Sequence, residues 1–260
     1  MEYYLSLLNE QLPIESHLMG RIVDCVNAEV ALGSIANVTE AADWLQFTYL
    51  FTRMRRSPRL YGLTRDAVNA DPMLLAHRCN IAHTVFSLLA EKQLVSYDLA
   101  RGDVRGTDLG RIASHFFLTA GSMGKYQAGL RPQMDDSDLL RVFAASDEFS
   151  HLSVRSEERL EIRRMVEQCP IPIKEPADSP LAKINVLLQA YIGRYSLEGF
   201  VLVSETVYIK DSALRITKAL HEIALSKGWA STARKALTLY QQVLRQQLSV
   251  QTPLRQLPAS

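Results

Sequence analysis

At 260 residues the chain can hold one large domain or two ordinary ones, each with its own core. Its composition, 47% apolar and 22% charged, excludes a disordered tail. With 29 basic against 28 acidic residues the net charge is +1, which excludes a free-standing nucleic-acid binder working through bulk positive charge. Any contact with nucleic acid must be local or shared with other domains.

In chain order most of the sequence reads as helix. VNAEVALGSIANVTEAADWLQFTYLFTRMRRSP carries a start signal in Asn37 and Glu40, the spacing of a capping box, and predicts a helix to about Arg55, ending before Pro58. NADPMLLAHRCNIAHTVFSLLAEKQ predicts another, with Asp71 as cap and Pro72 at its first position. LVSYDLARGDVRG changes period and reads as a short hairpin turning at Gly102-Asp103, followed by a helix capped by Thr107. Three helices, a hairpin and a helix within about a hundred residues is the layout of a winged-helix module. Beyond Gly121 come two short amphipathic helices, DDSDLLRVFAASDEF and SEERLEIRRMVEQ. The stretch CPIPIKEPADSP holds Pro170, Pro172, Pro176 and Pro180 and must be extended. Three long helices complete the chain: LAKINVLLQAYIGRY, one from about Ser204, and STARKALTLYQQVLRQQL. The expected class is mostly α, a winged-helix domain followed by an all-α helical bundle.

Signals of catalysis are missing from the sequence. There is no GxxxxGK[ST] phosphate loop, GSMGKY at 121–126 having the wrong spacing, and no DExH string. The six histidines show no ligand spacing, His77 and His83 falling on different faces of one helix, and no GxSxG elbow supports a nucleophile. No catalytic residue and no metal site is expected. Cys25, Cys79 and Cys169 form no CxxC pair and fit buried thiols in a reducing compartment. No apolar run approaches the roughly 18–20 residues of a membrane span. The opening MEYYLSLLNE lacks the basic-then-apolar pattern of a leader. An intracellular, soluble chain is expected. The RGD string at 101–103 reads as a hairpin turn rather than an adhesion signal.

Two groups of cations stand out. Arg53, Arg55, Arg56 and Arg59 cluster at a helix end, where the helix dipole favours them; a contact to phosphate or to an acidic neighbouring domain is the alternative use. The helix from about Ser204 is the stronger signal. At 100° per residue Ser204, Tyr208, Asp211, Ser212, Lys218, Ala219, Glu222 and Ser226 fall within roughly 60° of Arg215. Val207, Ile209, Ala213, Ile216, Leu220, Ile223 and Leu225 fall outside that arc. A wide apolar face is expected inside and a narrow polar stripe outside. That stripe can be an ordinary solvated edge. It can also be a channel wall, since small hydroxyls mixed with Arg and Lys let a strand come close.

The string LPIESHLMGRIVDCVNAEVALGSIANVTEAADWLQFTYLFTRMRRSPRLYGL closely resembles the segment after the second RecA lobe in large DExH-box RNA helicases. TDLGRIASHFF, PIPIKE, AKINVLLQAYI, LEGFVLVSETVYI and TPLRQL recur there in the same order. The likeness covers essentially the whole chain and is greatest to the first cassette of the spliceosomal DExH-box helicases. A sister family, the activating-signal-cointegrator helicases of ribosome rescue, shares NAEVALG- and TDLGR-type strings but typically lacks PIPIKE.

The resemblance implies a connector from a second RecA lobe over residues 1–12, a winged-helix domain over 13–120, a Sec-sixty-three-type bundle over 121–250 with its ratchet helix at about 204–228, and the start of a helix-loop-helix at 251–260. It further implies that the edge bearing Tyr208, Asp211, Ser212, Arg215 and Lys218 faces single-stranded RNA. Arg53, Arg55 and Arg56 would serve interdomain or phosphate contacts. The implied partners are the RecA lobes of a parent helicase, small nuclear RNA and spliceosomal proteins, in the nucleus and with no membrane. ATP and magnesium would bind the RecA lobes and no cofactor would bind this chain. The family usually opens its ratchet helix with Gln-Ser-Ala-Gly-Arg, where this chain has Asp211-Ser212-Ala213-Leu214-Arg215. Both departures would hinder a strand's approach. A stand-alone protein-docking module is the rival expectation.

Overall fold

The computed structural model describes residues 4–5 and 14–248, so nearly all of the connector expected at 1–12, and all of the segment expected at 251–260, lie outside the described residues. Contacts divide the chain into two compact units, one up to Arg111 and one from Ile112 onward.

In the first unit Ile22, Val26 and Val30 recur four apart and bury one face of α1 (Ile22–Leu32). Gly33 ends it at φ 84°, a left-handed stop that glycine adopts without strain. Asn37 caps α2 (Val38–Gln46) by accepting from Glu40 N at 2.9 Å, as its spacing predicts. The Glu40 carboxylate reaches back one residue further than a capping box would, to Ala36 N at 2.6 Å. The single helix expected to run on to Arg55 is instead two. It stops at Gln46, and α3 (Tyr49–Arg56) starts afresh behind Thr48, whose hydroxyl accepts from Phe51 N and donates to Leu45 O at 2.7 Å. The bend lets Ala41, Ala42 and Leu45 of α2 and Leu50, Phe51 and Met54 of α3 all reach the core.

After α4 (Arg65–Ala70) the helix expected from Pro72 begins later, as α5 (Leu75–Glu91). The intervening turn carries Leu74 at φ 49° and buries its side chain. Asp71 still serves the helix start from further back, accepting from Met73 N at 3.2 Å and Ala76 N at 3.3 Å. The hairpin pairs β1 (Val95–Asp98) antiparallel to β2 (Asp103–Gly106), with Asp98 opposite Asp103 and Gly102 at φ 75° in the loop. Val104 N donates to Ala36 O at 2.9 Å, which ties this wing to the entry of α2. α6 (Asp108–His115) is capped by Thr107, which accepts from Gly110 N at 3.1 Å. The unit boundary falls within this helix.

The second unit holds α7 (Ala120–Gly129), α8 (Asp136–Ala144), α9 (Arg159–Gln168), α10 (Pro180–Gly193), α11 (Phe200–Ser226) and α12 (Ala230–Arg245). Every residue from Ala182 to Ala190 is buried, so α10 is the central helix, and α11 packs against both α10 and α12. The proline-rich segment is stitched down at several points. Gln189 accepts from Ile171 N at 3.0 Å and donates to Ile171 O at 2.9 Å, and Ser137 donates to Pro172 O at 2.8 Å. Lys174 sits between Asp135 (3.1 Å) and Asp138 (2.8 Å) at the start of α8.

That clamp is pH-dependent. A hydrogen bond from Asp138 N, and then Lys174, hold the Asp135 carboxyl below its ordinary value of 3.8, while Asp138 and Asp135 raise Lys174 above 10.5. A depressed carboxyl stabilises fully above 3.8 and loses its effect as pH falls through the lowered value. A raised amine stabilises fully below 10.5 and loses its effect as pH rises through the raised value. Hydrogen exchange at Ile173–Ala177, corrected for intrinsic rate, should therefore be flat from about pH 4 to about pH 10 and rise at more acid pH. K174A should show the raised exchange throughout.

Candidate nucleic-acid interface

α11 is 27 residues long, about 40 Å, and begins at Phe200, four residues before the expected start. Ile209, Ala213, Ile216, Leu220 and Ile223 are fully buried, as their spacing predicts. The other side departs from a simple exposed stripe. Tyr208 and Asp211 are exposed and Arg215 and Lys218 half-buried, but Ser212 is only 7% exposed and Ala219 is fully buried. Val207 and Leu225, expected inside, are exposed. The middle of a helix packed between two others is covered on more than one face, which periodicity alone does not distinguish from a surface helix.

The structure brings Ser212 and Arg215 together and adds partners that the sequence did not suggest. Arg215 Nη1 donates to Phe116 O (3.2 Å) and Phe117 O (2.6 Å), and Nη2 donates to Ser212 Oγ (3.2 Å). Glu148 lies 3.9 Å from Nη1 with its side chain almost wholly buried. Its carboxylate accepts from Ser122 Oγ and from Thr119 N, and its backbone carbonyl accepts from the Tyr208 hydroxyl at 2.9 Å. The Tyr208 ring meets His151 edge to face at 4.6 Å. Burial, and then the Glu148 charge, push the Tyr126 phenol well above its ordinary range. Lys218 pairs with Glu222 at 3.2 Å and lies over the Tyr240 ring. Arg215 and Lys218 are thus held in defined positions on one edge of α11, with Asp211 solvent-exposed on the same edge.

The arginine cluster of the first unit divides in two. Arg53 is 3% exposed: its guanidinium pairs with Glu15 at 2.5 Å and donates to Ser57 at 2.9 Å. Arg53, then Tyr61, hold the Glu15 carboxyl below its ordinary range. Arg55 and Arg56 are exposed, Arg55 lying over the Phe51 ring. Of the expected trio, these two have cations at the surface.

A phosphate-cradling loop does not fit residues 121–126. They lie inside α7, their backbone belongs to a helix, and Lys125 pairs with Asp147. Among the described residues no group of three or more His, Cys, Asp or Glu is placed to hold a metal ion, and no helix is long and apolar enough to cross a membrane. The three cysteines are free, and burial pushes the Cys169 thiol up to about 12.

The chain matches two known domains, the Sec63 Brl domain over residues 106–258 and a Winged Helix-turn-helix domain over residues 15–91. It is 49% identical over 98% of its length to the DExH-box ATP-dependent RNA helicase DExH12 of Arabidopsis thaliana, and 47% identical over 98% to the U5 small nuclear ribonucleoprotein 200 kDa helicase of Drosophila melanogaster. It is 46% identical over 98% to the activating signal cointegrator 1 complex subunit 3-like protein of Dictyostelium discoideum. The chain spans only 11–12% of the length of these relatives. With the first domain matched over more than half of its residues, the chain belongs to the Sec63 Brl domain family and carries a winged-helix domain in front of that region.

Proposed function

We propose that this chain is a non-catalytic segment of an ATP-dependent RNA helicase of pre-mRNA splicing, guiding single-stranded RNA and coupling the motor lobes to the strand. The observation that carries this is α11: a helix about 40 Å long, locked into a bundle by its apolar face, that presents ordered cations along one edge. Such an arrangement contacts phosphates without reading sequence and needs no overall positive charge. Identities of 44–49% over nearly the whole chain to proteins named as U5 or DExH-box helicases support the parent's class. ATP and magnesium would be handled by RecA lobes of that parent. The partners would be those lobes, small nuclear RNA and spliceosomal proteins, in the nucleus.

In the complete helicase R215Q should lower RNA-stimulated ATPase and unwinding about five- to tenfold, the scale of one charge-assisted contact. It should also reduce the slope of log affinity against log salt by about 1. S212A should act in the same direction and more weakly. A protein-docking module would leave both activities unchanged in both variants, and that result would defeat the proposal. The relative from Dictyostelium, at 46% identity, supports the corresponding segment of an activating-signal-cointegrator protein as the second reading. Co-purification of the native protein with small nuclear RNA or with ribosomes separates the two.

A further inference from the structure

We infer that Phe117 is a stacking platform for an unpaired nucleobase, set in place by Arg215. The inference rests on the proposal that α11 faces a single strand, and it names a contact outside α11. Phe117 lies just past the end of α6, in a left-handed conformation at φ 52°. Leu118 N bonds to Ala113 O at 2.9 Å and Phe117 N to Ser114 O at 3.2 Å, the pattern of a helix stop where glycine is the usual residue. A bulky side chain there is strained, and such strain persists only where the surroundings impose it. Arg215 imposes it, since its guanidinium grips the carbonyls of Phe116 and Phe117 together.

The ring so placed is 83% exposed. Among the described residues, the other non-glycine left-handed positions carry polar side chains at Gln93, Arg194 and Gln246, and Leu74 is buried. Phe47 and Phe200 are as exposed as Phe117, but Phe117 is the one whose own carbonyl Arg215 grips. Three of the five N–H donors of Arg215 go to Phe116, Phe117 and Ser212, which leaves two to meet a phosphate. An exposed aromatic side chain whose backbone is anchored by a half-buried guanidinium offers the pairing that single strands need, a base on the ring and its phosphate on the cation. Stacking of this kind is indifferent to base identity, which fits a contact that must slide.

The test uses the complete polypeptide that carries this segment and a single-stranded oligoribonucleotide containing 5-iodouridine. Irradiation should cross-link the tryptic peptide 112–125, between Arg111 and Lys125, at Phe117. F117A should lose that cross-link and bind the oligonucleotide about tenfold more weakly with an unchanged salt slope, while F117W keeps both. F117G relieves the backbone strain and should keep or raise the melting temperature while losing the stack, which separates a binding loss from a folding loss. Cross-links confined to residues 200–226, with F117A binding as the parent does, would overturn this inference and leave the reading of α11 intact. Cross-links to neither stretch would remove both. Loss of a co-purifying protein in F117A, with RNA affinity unchanged, would make the ring a protein contact and overturn the inference equally.

Discussion

Replacing Gly110 by alanine should destabilise the first unit by about 3 kcal/mol, at the upper end of the overpacking range. A Cβ at this position would lie 2.1 Å from Leu94 O and 2.9 Å from Asn27 Oδ1. Neither can easily withdraw. The Leu94 carbonyl accepts from Thr107 N at 3.1 Å and from the Thr107 hydroxyl at 2.9 Å, and Asn27 donates to Gly110 O at 3.0 Å. One methyl group would thus press on the hairpin entry, the cap of α6 and a buried amide of α1 together. G124A is the matched control, because nothing lies within 4 Å of that Cβ and alanine is the better helix former inside α7. Denaturant unfolding should show the two substitutions with opposite signs. A G110A midpoint equal to that of the parent would mean that α6 is not pressed against the hairpin as described.

The second large effect is expected at Lys183. It has no exposed side-chain surface, and its ammonium sits 2.6 Å from Glu158, 2.6 Å from Glu205 and 2.8 Å from Ser153 O. One cation therefore holds α10 to the start of α9 and to the first half of α11. K183A leaves two carboxylates buried without their counter-charge, and the expected loss is about 3–5 kcal/mol. Most of that loss comes from the uncompensated charge rather than from the pairing itself. The triple variant K183M/E158Q/E205L should accordingly recover much of the stability, because the amide introduced by E158Q can still accept from Arg155 N as the Glu158 carboxylate does at 3.1 Å. Equal melting of single and triple variants would refute that account.

Local chemistry was legible in the sequence. Asn37 and Thr107 cap the helices that their positions predict, Gly102 turns the hairpin, and the prolines of CPIPIKEPADSP keep that stretch out of any helix. The break between α2 and α3 was also written locally, in Thr48 as a cap, but an uninterrupted apolar pattern on both sides concealed it. The buried face of α11 followed from its periodicity, and the candidate cations on the other edge from the same wheel.

What surrounds those cations was not legible. Glu148 precedes Arg215 by more than sixty residues, Phe116 O and Phe117 O precede it by 99 and 98, and Glu15 lies 38 residues before the Arg53 that it neutralises. No spacing rule reaches that far, because chain proximity ends within a helical turn or a hairpin while packing brings distant segments together. The sequence by itself determined the mostly helical class, the caps at Asn37 and Thr107, the wing and the apolar face of α11. Only the tertiary structure decided that Ser212 is covered, that Arg53 is withdrawn from the surface, and that Arg215 holds Phe117 in an unusual conformation. Burial and charge pairing at a side chain depend on what other elements lay against it, and that is set by how the whole unit packs.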